Sequence, residues 1–207
     1  MSAIKPAMMD RLLAMDLPVM TMPHDNEAFV PLEESGHRLV LAGNGLFKEI
    51  RRPWIYVRFQ LAKFSTPFGE ATEVIETAVK ISKAHLKTFL AQAHREAPLE
   101  TAGWLVWSEQ TEEVSYRELV ADKATYSKLT VQRPELAIHE HLVLDLHSHH
   151  VMKPNFSGTD DKDDRASGWV TLSGVVGNID TTPHWNFRLC LEGHLMPVDI
   201  KQFLSED

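Results

Sequence analysis

The chain has 207 residues, enough for one domain with a substantial core and a smaller addition. Hydrophobic residues make up 43% and charged residues 24%, which is typical of a folded chain and excludes an intrinsically disordered one. The formal net charge of -8 argues against a nucleic-acid partner, and the single cysteine excludes an intrachain disulfide and a thiolate-rich zinc site.

Membrane insertion is not expected. No run approaches the ~20 apolar residues that a membrane-spanning helix needs. Asp10, Arg11 and Asp16 interrupt the Met-rich N-terminus before the apolar core of a signal peptide could form. We therefore predict no membrane partner and a cytoplasmic location.

Residues 1–72 are predicted to form an N-terminal extension, irregular at first and then similar to a β-hairpin. RLVLAGNGLFKEI indicates two strands joined through Gly43-Asn44-Gly45, a turn that tolerates positive φ. WIYVRFQLAKF alternates apolar and polar residues, which is typical of a half-buried strand. Basic residues interleave with these aromatics. They could form a docking surface for an acidic partner, but a solvated strand face is the favoured interpretation.

Residues 73–207 show a second pattern, in which strands and helices alternate. VIETAVKI indicates a strand, and Ser82 caps a helix that ends near Pro98. GWLVW and EVSYRELV indicate strands around a polar turn, and an irregular stretch leads to the strand HLVLDLHSH. A short helix and the strands WVTLSGVVG and WNFRLCLEG follow Asp160. The predicted fold class is α/β (α+β), with no internal repeat.

Two histidines and one aspartate are candidates for a metal site. On a strand, His147 and His149 project to the same side. Ser157 and Asp160 have the spacing of a helix N-cap and its first turn. If that helix start folds back over the strand end, Asp160 becomes a third ligand. The alternative is a polar loop with a charged helix start, because histidines near strand ends are more often satisfied polar residues than ligands.

Two neutral histidines and one carboxylate would leave a fourth tetrahedral position for water, as in catalytic zinc sites. Amide hydrolysis also needs a group that accepts and returns a proton. Glu100 stands at the start of a strand after Pro98, and Gly103 permits a close approach there. Asp145 shares the face of His147, where a carboxylate can orient an imidazole or simply end a strand.

Three competing motifs fail. HEHLV has Val143 where a zincin helix needs histidine. DDKDD lacks the glycine and glutamate of an EF-hand loop. The H-x-E motif and paired cysteines of nucleobase deaminases are absent.

PLE-x-x-G followed by H-S-H, seven residues, S, two residues and D resembles the signature of the JAMM (MPN+) zinc metalloprotease family. The resemblance covers about residues 74–200 and implies a mixed sheet flanked by helices. It also implies a zinc hydrolase that removes ubiquitin-like proteins from lysine or trims their tails. His147, His149 and Asp160 would bind one zinc ion, Glu100 would be the general acid/base, and Ser157 would donate to the oxyanion.

The sequence departs from the family at two positions, because His150 and Phe156 stand where the family often has proline. We interpret both as differences in loop shape. More narrowly, the chain is similar to the PRTRC system protein A family of bacterial mobile-element cassettes. Those cassettes also encode an E1-like (ThiF-related) protein, a ParB-related protein and a small ubiquitin-like protein.

The predicted function is therefore a zinc-dependent isopeptidase or peptidase acting on the C-terminal tail of a ubiquitin-like protein, with an E1-like protein as a further partner. The alternative is an MPN-type scaffold that docks an E1-like or partition protein with little catalysis. Other substrates are a sulfur-carrier protein, or a target in DNA metabolism that the acidic pI disfavours.

Overall fold

The structure is a computed structural model that describes residues 11–12, 14–25, 28–125 and 129–206. The chain divides into two compact units, Met1–Ala78 and Val79–Asp207. Strands and helices are mixed, which confirms the predicted α+β class. No helix within those ranges is long and apolar enough to cross a bilayer.

The first unit is built on one sheet in the strand order β1-β2-β3-β4-β5. The strands are β1 (Val19–Thr21), β2 (Gly36–Ala42), β3 (Gly45–Arg52), β4 (Ile55–Ala62) and β5 (Val74–Thr77). β1 pairs with β2 in parallel and the other pairs are antiparallel. The predicted hairpin is confirmed, because Ala42 pairs with Gly45, whose φ is 144°.

Three features of this unit differ from the sequence prediction. β1 lies in a segment predicted to be irregular. β5 pairs with β4, so the first unit continues to Ala78, whereas the sequence placed this strand at the start of the second part. β4 lies between two strands, and its residues from Ile55 to Phe59 are all buried, so the strand is not half-buried.

Two basic residues of these strands do not lie on a solvated face. Lys48 and Arg58 are buried. The Arg58 guanidinium lies 4.7 Å from the centre of the Phe29 ring, and its Nε donates to the Thr72 carbonyl at 2.9 Å. The favoured interpretation is therefore wrong for these two residues, and the Arg58 side chain is held within the unit by cation–π and hydrogen-bond contacts.

The second unit is built on a sheet in the order β13-β12-β11-β10-β6-β7. Its strands are β6 (Ala102–Ser108), β7 (Val114–Glu118), β10 (Glu140–Ser148), β11 (Val170–Gly177), β12 (His184–Leu191) and β13 (His194–Pro197). Only the β10–β11 pair, among those described for this sheet, is parallel. Every residue of β11 is buried, as expected for an apolar central strand.

Two α-helices of this unit match the predicted positions. α1 (Lys83–Glu96) begins after Ser82, whose hydroxyl accepts a hydrogen bond from the Ala84 N–H, and it ends two residues before Pro98. α2 (Gly158–Ala166) begins after Ser157. A 3-10 helix covers Ile200–Phe203.

A small ribbon occupies the segment that was predicted to be irregular before β10. β8 (Ala121–Ala124) pairs with β9 (Leu129–Val131). Leu129 and Val131 pack on a buried cluster that includes Trp104 and Leu142. The ribbon therefore covers apolar side chains of β6 and β10, which a solvated loop would leave exposed.

Candidate metal centre

The end of β10 and the start of α2 bring together the three predicted ligands, His147, His149 and Asp160. One potential ligand atom from each lies within 4.8 Å of the others. His147 Nε2 is 3.7 Å from Asp160 Oδ1, and the two imidazole centres are 5.0 Å apart. The helix start does fold back towards the strand end, as the sequence hypothesis required.

His147 is held by strands on both sides, because it pairs with Val175 of β11 and Ala102 of β6. Its Nε2 is buried and has no hydrogen-bond partner among the described residues. Burial lowers the pKa of His147 to about 4, although the Asp160 charge opposes this effect. The imidazole is therefore neutral at physiological pH, which is the form that binds metals.

His149 lies one residue beyond β10, so backbone contacts rather than strand alternation set its position. Its N–H donates to the Val176 carbonyl at 2.7 Å. Its Nδ1 is 3.3 Å from the Lys153 carbonyl, and because a carbonyl only accepts, Nδ1 carries the proton and Nε2 is left as a ligand. A Cβ at Gly177 would lie 2.1 Å from the Met152 carbonyl, so this loop requires glycine there.

The Asp160 side chain both caps helix α2 and belongs to the candidate metal centre. One carboxylate oxygen, Oδ2, accepts a hydrogen bond from the Ser157 N–H at 2.6 Å, while the Asp160 N–H donates to Ser157 Oγ at 3.2 Å. This reciprocal pair is a capping box. Burial alone raises the pKa of Asp160, but His147 and the Ser157 hydrogen bonds outweigh it and lower the pKa. A charged carboxylate therefore faces the histidines.

Glu100 precedes β6 and is 7% exposed. Burial, and secondly the charge of Asp160, raise its pKa to about 7. Its neighbour Thr101 is joined to Ser148, the residue between the histidines. The Thr101 N–H donates to Ser148 Oγ at 3.0 Å, and the Ser148 N–H donates to the Thr101 carbonyl at 2.9 Å. The backbone thus fixes Glu100 relative to the histidine strand.

Residues 82–190, more than half of the chain, match the family described as prokaryotic homologs of the JAB domain. The chain belongs to this family. Residues 7–78 match a domain of unknown function, DUF2016.

Among solved structures, a JAB1/MPN domain protein from Archaeoglobus fulgidus is 19% identical over 60% of this chain and 96% of that chain, with a TM-score of 0.38. No curated protein matches the chain. The family match confirms the predicted JAMM/MPN resemblance.

Within the JAB domain, Arg188 of β12 fixes the helix that carries Asp160. Its Nε donates to Asp164 Oδ2 at 2.8 Å, and its Nη1 donates to Asp161. The same guanidinium lies 3.7 Å from the centre of the Phe156 ring, which meets the His147 ring edge-on at 6.1 Å. Phe156 stands where the family often has proline, and here Arg188 packs on it.

Sequence reasoning missed Arg188 and the Thr101–Ser148 pair. Arg188 is far along the chain from the helix that it contacts, so no local spacing indicates its role. Strand alternation places Ser148 on the opposite side from the histidines, but its partner depends on the pairing of β10 with β6. Gly103 does allow a close approach, since a Cβ there would lie 2.5 Å from Tyr116 Oη.

The donor set of this JAB domain fits zinc. It offers two imidazole nitrogens and one carboxylate oxygen, the ligands of catalytic rather than structural zinc sites. The His147 Nε2 atom is buried and has no hydrogen bond with any described residue. A bound cation would give this nitrogen the partner that a buried polar atom needs. His147, His149 and Asp160 are the residues that could hold the ion.

Proposed function

We propose that this JAB domain is a zinc-dependent hydrolase that cuts a peptide or isopeptide bond at the C-terminal tail of a ubiquitin-like protein. The observation that carries the proposal is the convergence of three potential ligands within 4.8 Å, with a buried Glu100 whose pKa is raised by burial and by the charge of Asp160. If His147 and Asp160 formed an ion pair that served only stability, a buried Glu100 close to Asp160 would not be needed.

Zinc, when bound, would lower the pKa of a water molecule and polarise the carbonyl group under attack. Glu100 accepts the proton from the attacking water and returns it to the leaving amine. In the metal-free protein, burial and the charge of Asp160 raise the pKa of Glu100 to about 7, so its carboxyl group can both accept and release a proton near neutral pH.

Ser157 supports the developing oxyanion. Its hydroxyl oxygen already accepts the N–H of Asp160, so the hydroxyl hydrogen remains available to donate. A donor aimed at the oxygen where charge develops stabilises the transition state more than the substrate. His147, His149 and Asp160 have the complementary role of holding the metal.

The decisive experiment uses a ubiquitin-like protein from the same genetic neighbourhood, extended at its C-terminus. Zinc-loaded wild type and Glu100→Gln are incubated with it, and the products are identified by mass spectrometry. We expect wild type to remove the extension and the variant to lose at least about 100-fold in rate while keeping its zinc. Glu113→Gln, at an exposed position, is the matched control and should match wild type.

Equal cleavage by wild type and Glu100→Gln would remove Glu100 from the mechanism. No cleavage by zinc-loaded wild type, together with retained binding of the ubiquitin-like protein, would favour the scaffold alternative. We also propose an E1-like protein as a partner, on the sequence resemblance to the mobile-element cassette. Co-purification of the two proteins from one expression strain tests this, and separate elution at micromolar concentrations would contradict it.

A further inference from the structure

A cavity of about 140 Å³ lies beside the candidate metal centre. Asp145 lines it from β10, and Asp163 and Asp164 line it from α2. Asp145 stands two residues before His147 on the same strand, so the two side chains share a face and are spaced about 7 Å apart along it. The cavity is too small for a whole ligand and suits a single side chain.

Two indole rings form apolar walls of this cavity. The Trp104 and Trp169 ring centroids are 5.9 Å apart, at an angle of 58°. Trp104 is buried at 1% exposure, whereas Trp169 is 42% exposed. The Trp104 indole N–H interacts with the Asp145 carboxylate, its partner in the pairing of β6 with β10, so these two residues form one wall of the cavity.

The charges of the cavity favour a cation. Three carboxylates line it, and Arg133 is the basic residue that lines it with them. Arg133 contacts Asp145 at the long distance of 3.9 Å, and its side chain is 55% exposed. Such a loose, solvated pair contributes little, so Arg133 can be displaced at small cost. Arg188 neutralises Asp164 from outside the cavity lining.

We propose that this space, here named the Trp–Asp cavity, binds a Lys or Arg side chain of the polypeptide substrate, within about two residues of the bond that is cut. The inference rests on the proposed function and names its substrate class. Asp145 and Asp163 pair with the cation, and the indole faces attract it. Arg133 occupies the mouth until the substrate cation replaces it.

The test is a titration of the full, zinc-loaded chain, followed through the indole N–H signals of its tryptophans by NMR. Trp104→Phe and Trp169→Phe assign the two signals. The probes are Nα-acetyl-lysine methylamide, Nα-acetyl-arginine methylamide and the uncharged Nα-acetyl-norleucine methylamide. We expect both signals to move with the two cationic probes and to stay unchanged with norleucine, which has the same aliphatic length as lysine without its charge.

Variants test whether the probes bind in the Trp–Asp cavity. Asp145→Asn and, independently, Asp163→Asn should weaken binding of the lysine probe at least tenfold, and Arg133→Ala should strengthen it. Asp180→Asn, an exposed aspartate outside the cavity with the same change in charge, should bind as wild type does. Equal binding of norleucine, or no movement of either signal, would overturn the proposal. Because the signals need no turnover, failure of the hydrolase hypothesis would leave this readout intact.

Discussion

Glu100 is a buried acid whose neutral form the fold favours. Its pKa is raised from 4.5 to about 7, chiefly by burial, so the folded state holds the proton more tightly than the unfolded state. In the metal-free protein, this contribution to stability is complete below pH 4.5 and is lost as the pH rises through about 7. A bound cation would reduce the shift, because it favours the carboxylate.

In the metal-free protein, Glu100→Gln should therefore raise the free energy of unfolding more at about pH 8 than at about pH 5. We expect its effects at the two pH values to differ by about 1–3 kcal/mol. The measurement is urea unfolding of the metal-free wild type and variant at both pH values. If the difference in free energy of unfolding between wild type and variant were the same at both pH values, Glu100 would titrate as an exposed glutamate does.

Ser157 combines two roles that substitutions can separate. Ser157→Ala removes the helix cap and the hydroxyl donor, so we expect a loss of about 1 kcal/mol in stability and of about 100- to 1,000-fold in kcat. Ser157→Thr keeps the hydroxyl and should retain most of both. If Ser157→Ala lost stability but kept its kcat, the hydroxyl would serve only the helix.

For single residues, the sequence predicted the contacts between side chains that lie a few positions apart in the chain. The H-S-H triplet and the S-x-x-D cap sufficed to predict which side chains meet. It was uninformative about contacts across strands. The neighbours of Asp145 are an example, since it contacts Arg133, from the segment after β9, at 3.9 Å.

Helix α2 is short, strongly acidic and without a buried residue, so it has little apolar packing to hold it. Its position depends on Arg188, which is 7% exposed at the side chain and contacts Asp161, Asp164 and Phe156. Removal of one partner from such a buried cluster leaves charges unpaired.

Arg188→Met should therefore weaken zinc binding by about 10- to 100-fold, as loss of a residue that orients a ligand does. Competition with a chromophoric chelator measures the affinity. Arg165→Met, on the same helix but bonded to the Gly193 carbonyl, is the control and should bind zinc normally. Unchanged affinity in Arg188→Met would show that α2 keeps Asp160 in place without this contact.

The elements themselves were predicted best where periodicity was strong, as in α1, β6, β10 and β11. The short strands β1, β8 and β9 escaped prediction, because three or four residues carry no period and their pairing partners lie elsewhere. The placement of β5 shows the same limit. VIET has the composition of a strand, but nothing local indicates which of two sheets it joins.

For the whole molecule, the proposed zinc site would couple metal binding to folding, since its three residues come from two elements. At a free zinc concentration 100 times the Kd, binding should stabilise the protein by about 3 kcal/mol. Thermal unfolding with zinc and with a chelator measures this. Asp160→Ala should abolish the difference, and a variant that kept it would not have lost a ligand.

The reciprocal hydrogen bonds between Thr101 and Ser148 have a practical consequence for protein engineering. They involve the backbone and a serine that points away from the two histidines, so the three candidate ligands can be exchanged without removing these hydrogen bonds. A library at positions 147, 149 and 160 would thus test which first-row metals the site accepts while the backbone beside Glu100 keeps its position.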